Sequence, residues 1–77
     1  MIEIKGNEIM IKLNKQFYDL GVVKESIKDF NEVCIGKIKN KERIEVTLKP
    51  KDKSILNILG NEFYNYVLGL MKNKTIV

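Results

Sequence analysis

The spacing of apolar residues in this chain switches between two periods, and that switching decides what it can fold into. Ile9, Ile11 and Leu13 recur at every second position around Met10 and Lys12, the pattern of a strand with one buried face. From Leu20 the spacing lengthens. Val23, Ile27 and Phe30 fall at helical intervals with Leu20 and Cys34 on nearly the same side, while Lys24, Glu25, Lys28, Asp29 and Glu32 occupy the opposite side. The stretch "CIGKIKNKERIEVTLKP" returns to strand-like alternation, and the residues beyond Ser54 return to the helical period. The order β(β)αββα predicts an α+β fold: a small single domain over residues 1–77, an antiparallel-rich sheet with both helices packed on one face.

Local chemistry sets the boundaries. Ile2 and Ile4 also alternate, and Gly6 with Asn7 is a hairpin-turn signal, so residues 2–5 form either a separate short strand or the start of one kinked strand. Asp19 is placed to cap a helix running from Leu20 to Val33, its carboxylate accepting from the first free amides. Phe17 and Tyr18 are expected to anchor the strand-to-helix turn in the core, with the Tyr18 hydroxyl near solvent. In the second hairpin, a loop of Asn40, Lys41 and Glu42 sets Ile38 opposite Ile44, Gly36 opposite Val46, Cys34 opposite Leu48 and Lys37 opposite Glu45. All small or apolar residues then share one face. Pro50 ends the strand, since it has no N–H for the ladder. The last helix starts at Asp52 or Ser54 and runs to Lys72, with a break near Gly60 and Asn61 left open because a helical glycine costs about 1 kcal/mol relative to alanine.

That last helix holds more apolar residues than one sheet can cover. At about 100° per residue, Leu56, Leu59, Phe63, Tyr66, Val67 and Leu70 form the core stripe, whereas Asn57, Asn61, Asn65 and Lys72 mark the solvent side. Tyr64, Leu68 and Met71 form a second stripe beside the core. It either widens the buried face, is tolerated as scattered surface apolarity, or offers a docking surface for another helix or protein.

Size makes the surplus matter. A core in a chain of 77 residues supplies only about 3–5 kcal/mol, and small domains often add disulfides, a metal or a partner. Cys34 is the only cysteine and histidine is absent, so an intramolecular disulfide is excluded and a zinc site lacks its usual ligands. Association, including a homodimer, is the support left over. One thiol, no apolar opening of signal-peptide length and no run of roughly 20 apolar residues suggest a soluble cytoplasmic protein.

Catalytic groups are scarce. Without histidine, Ser-His and Cys-His nucleophilic chemistry is excluded, and no phosphate-binding or dinucleotide glycine pattern occurs. Cys34 falls on the expected core face, where a thiol behaves as a small hydrophobe. The chain is expected to be non-enzymatic and to need no cofactor. The net charge is +4, and one segment supplies all of it: Lys37, Lys39, Lys41, Arg43, Lys49, Lys51 and Lys53 stand against Glu42, Glu45 and Asp52. This basic segment suits nucleic acid, an acidic protein or peptide, or plain solubility; the absence of any aromatic from Lys37 to Lys53 weighs against single-stranded nucleic acid.

The sequence "IMIKLNKQFYDLGVVKESIKDF", the hairpin ending "VTLKPKD" and the terminal "NEFYNYVLGLMKNK" with Asn65 together resemble the HxsD-like (His-Xaa-Ser system) proteins. The likeness spans most of the chain from Ile9 onward. Tyr66 follows Asn65 where members of that family commonly carry an acid, and Leu70 and Met71 stand near the place of their arginine. The resemblance implies a small accessory protein of a peptide-maturation system, engaging a radical-SAM enzyme, its precursor peptide, or both. It supplies no catalytic residues. On this reading the partner-binding candidates are Tyr64, Asn65, Leu68 and Met71, and the runner-up is a nucleic-acid-binding domain using the basic hairpin.

Overall fold

The computed structural model describes residues 2–75. Strands β1 (Ile2–Lys5) and β2 (Glu8–Leu13) precede helix α1 (Leu20–Asp29); strands β3 (Cys34–Asn40) and β4 (Ile44–Pro50) lead through a short 3-10 turn (Lys53–Ile55) into helix α2 (Leu56–Thr75). All strands pair antiparallel in one sheet of order β1-β2-β4-β3. The α+β expectation therefore holds, and residues 2–5 are a separate strand. Gly6, at φ 59°, takes the first central position of the β1–β2 turn, as a type II′ hairpin requires.

Because β4 separates β2 from β3, the chain leaves β2, crosses through α1, and sets down β3 one place further out; β4 then returns into the gap. The buried strand residues Ile9, Ile11, Leu13, Ile44, Val46, Leu48 and Cys34 all belong to the face under the helices. From α1, Val22 and Val23 join them, and from α2, Leu59, Phe63 and Val67. Among the described residues no helix lies on the opposite face of the sheet, which carries Glu3, Lys5, Glu8, Met10, Lys12, Ile35, Lys37, Lys39, Glu45, Thr47 and Lys49.

Several local expectations need correction. The β3–β4 register is offset by two residues: Ile38 pairs with Val46, Gly36 with Leu48, Cys34 with Pro50 and Lys39 with Glu45, while Lys37 faces Thr47. A shift of two leaves every side chain on its face, so burial does not distinguish the registers. The observed one gains the Asn40–Ile44 and Cys34–Pro50 pairs, with Lys41–Arg43 as the turn. Helix α1 ends at Asp29 rather than Val33. The amides of Val33 and Cys34 both turn back to the Phe30 carbonyl, at 3.0 and 3.1 Å, which redirects the chain into β3. Its buried face is also rotated: Val22 and Ser26 are fully buried, and the Ser26 hydroxyl donates to the Val22 carbonyl at 2.8 Å. Phe17 is 69% exposed and does not anchor the turn. Only Tyr18 does so.

Gly60 does not break α2. It lets the helix lie close on the sheet: a Cβ there would lie 2.8 Å from Ile2 Cγ2 and 3.2 Å from Ile9 Cγ2. Asp19 caps α1 as expected, accepting from the Gly21 amide at 3.0 Å, and Asp52 caps the 3-10 turn by accepting from Ser54 at 2.9 Å.

Candidate functional site

The two helices differ in length, ten residues against twenty, so at 1.5 Å per residue α1 can cover only about half of α2. They run in roughly opposite senses: Asp19, at the start of α1, meets Met71 near the end of α2, while Phe30, at the end of α1, meets Phe63. The first two turns of α2 thus extend past the end of α1.

On the flank expected to dock a partner, much of the apolar surface is already engaged. The Tyr64 and Tyr18 hydroxyls are 2.8 Å apart with their rings tilted at 50°. Burial, followed by this hydrogen bond, pushes the Tyr18 hydroxyl up to about 12. The Met71 sulfur accepts from the Asp19 amide at 3.4 Å. Tyr64 and Met71 pack against the core, Leu68 is half-buried, and Asn65 is exposed. The structure therefore turns Tyr64 and Met71 inward and leaves Asn65 apart from them.

The other flank is open. Phe30 stands edge-on to both Phe63 and Tyr66, with ring centroids 5.2 Å apart in each case. Tyr66, assigned above to the core stripe, is 37% exposed and donates its hydroxyl to the Asp29 carboxylate. That hydrogen bond is the main cause of a raised Tyr66 pKa. Next to this cluster lies an apolar groove of about 280 Å³ lined by Phe30, Val33, Ile55, Ile58, Leu59 and Glu62. Ile58 is 56% and Val33 43% exposed at its mouth. The sequence reading missed Ile55 and Ile58 altogether. Their signal was present at spacing i, i+3, with Glu62 and Tyr66 continuing the same side of the helix.

The basic residues do not converge. Lys37, Lys39 and Lys49 point to the uncovered sheet face, Lys41 and Arg43 lie in or beside the β3–β4 turn, and Lys51 and Lys53 follow the far end of β4. A strand of seven residues puts roughly 20 Å between those ends. The separation of charge between layers is sharper. Segments 2–17 and 34–53, which carry the strands, hold ten basic and five acidic residues; segments 18–33 and 54–75, which carry the helices, hold four and five. The strand-bearing segments thus sum to +5 and the helix-bearing segments to −1.

Cys34 is buried, its thiol directed at the Phe30 carbonyl at 3.5 Å. Burial raises its pKa against a smaller lowering by Lys51, which disfavours the reactive thiolate. Among the described residues no cluster of three or more His, Cys, Asp or Glu side chains could hold a metal ion, and no helix is long and apolar enough to cross a membrane. No family model, no curated protein and no solved structure matches the chain.

Proposed function

We propose that this chain is a non-enzymatic, cytoplasmic accessory module that engages a protein or peptide partner through the groove beside Phe30. The observation that carries the reading is the clustering of exposed apolar side chains there. Val33, Ile58 and Tyr66, three of the six large apolar residues exposed among those described, surround Phe30 at the place where α1 is too short to cover α2. Burying such side chains supplies most of the affinity of a small interface. The flanking acids Asp29, Glu32 and Glu62 suit a partner segment that brings an apolar anchor next to a basic residue. The resemblance to HxsD-like proteins supports a radical-SAM enzyme or its precursor peptide as the partner class.

The test is the mass of the chain in solution, alone and mixed with a candidate modifying enzyme encoded near it. A complex that Ile58→Glu removes and Leu68→Asp keeps is the expected result. A complex indifferent to Ile58→Glu places the partner elsewhere.

The charge separation favours one second reading, nucleic acid on the sheet side. Binding of generic RNA or DNA that is appreciable at low salt and falls steeply as salt rises is its signature. The spread of the basic residues over both ends of β4, with no aromatic among them, argues for the first reading.

A further inference from the structure

Strand β3 is the outer strand on its side of the sheet, and among the described residues no strand pairs with its free edge. It has seven residues against four in β1, the other edge, and its ladder with β4 runs unbroken from Cys34 to Asn40. Edges of this length are usually shortened, bulged or covered, because their unpaired amides and carbonyls template a further strand.

The side chains of β3 specify what it would accept. Ile35, Lys37 and Lys39 project to the uncovered face, and Gly36 and Ile38 to the helix side. Gly36 has room only for hydrogen, since a Cβ would lie 2.8 Å from Ile27 Cγ2, so α1 lies close over this strand. A second copy is a poor fit: pairing two whole β3 strands about a two-fold axis centres on Lys37 and sets it against itself. Like charges directly opposite destabilise a strand pair, and opposite charges stabilise it. The uncovered face itself carries Lys5, Lys12, Lys37, Lys39 and Lys49 against Glu3, Glu8 and Glu45, a surplus of positive charge that adds longer-range attraction for acid.

We infer that β3 takes up an extended acidic segment of a partner polypeptide as a fifth strand. Its carboxylates face Lys37 and Lys39, and its alternate apolar side chains lie beside Ile38 and Ile27. The inference rests on the reading of the chain as a peptide- or protein-binding module and adds a second, acidic segment to the apolar and basic one proposed for the groove. It also connects with the groove, because Val33 at the groove mouth directly precedes Cys34, the first residue of β3.

The probe is a labelled ten-residue peptide of alternating Glu and Val, titrated into the full chain and followed by fluorescence anisotropy and amide hydrogen exchange. Binding is expected with slowed exchange at β3. The Lys37→Glu/Lys39→Glu pair should weaken it about tenfold or more, a loss of about 1.4 kcal/mol, whereas Lys51→Glu/Lys53→Glu, with the same change in net charge, should alter it less than about twofold. N-methylation of every second peptide amide should abolish binding in one phase and spare it in the other, since only alternate amides face the edge. Absence of binding at low salt, no change of exchange at β3, or equal binding by both methylated phases and by a single-stranded oligonucleotide would overturn the inference, the last pointing to simple polyanion attraction. If the peptide fails while the complex sensitive to Ile58→Glu persists, this inference falls and the proposed function stands.

Discussion

Tyr64 and Tyr66 are two residues apart on one helix, yet the protein treats them in opposite ways. Tyr64 shares a hydrogen bond with Tyr18 and packs against the core, in the lee of the turn that precedes α1. Tyr66 is exposed, holds the Asp29 carboxylate, and stands edge-on to Phe30, which with Leu59 lines the adjoining groove. Nothing in the helix itself separates the two flanks. What differs is the neighbour: the loop and first turn of α1 cover one flank, and α1 ends before it can cover the other. Whether an apolar stripe is core or surface is therefore fixed by the length of the adjacent element.

Variants can break or sharpen this contrast. Phe63→Ala removes the ring between the flanks and should cost about 3–5 kcal/mol, enough to unfold a domain this small, as circular dichroism at 25 °C would show. Gly60→Ala forces a Cβ to within 2.8 Å of Ile2. The overpacking should outweigh the gain in helix propensity and lower stability by roughly 1–2 kcal/mol in urea unfolding. Gly69→Ala makes the same chemical change where no atom lies within 4 Å, and should stabilise by about 0.5–1 kcal/mol. If both glycine variants shift the urea midpoint in the same direction, the contrast between the two sides of α2 fails.

Tyr18 offers a titration of the covered flank. Its folded pKa of about 12 lies above the ordinary 10.0, so the neutral hydroxyl favours the folded state. That contribution is complete below pH 10 and is lost as pH rises toward 12. The difference in urea midpoint between wild type and Tyr18→Phe should therefore move against the wild type across this interval, and Tyr64→Phe should reduce the movement. Ile58→Glu has the smallest expected effect on stability, within about 0.5 kcal/mol because the side chain is already exposed. Its consequence should fall on partner binding alone.

Much of the architecture was legible because side-chain alternation and helical period report directly on which face is buried. Ile9, Ile11 and Leu13, or Leu59, Phe63 and Val67, required no tertiary knowledge. Asp19 and Gly6 were equally readable, one as a cap and one as a turn residue. The hairpin register was not, because an offset of two residues buries the same set of side chains and leaves only turn closure and ladder length to decide. The open groove was hidden for another reason. Ile58 lies on the flank of the helix beside the expected core stripe, and its exposure depends on where α1 stops, which is set by the turn at Phe30 instead of by helix propensity.

The place of β4 also bears on how the chain reaches its native state. It follows the other three strands in the chain, yet it is internal to the sheet, paired on one side with its sequence neighbour β3 and on the other with β2, where Ile9 meets Leu48. Until residue 50 is available the first hairpin has an unsatisfied inner edge, and until α2 follows, Ile9 lacks the helix backbone that packs over it at Gly60. The β2–β4 pairing is long-range in sequence, a feature that slows folding relative to a helical domain of equal length. Synthesis that stalls before α2 leaves a nascent chain with adhesive strand edges, the form in which it would depend most on a chaperone.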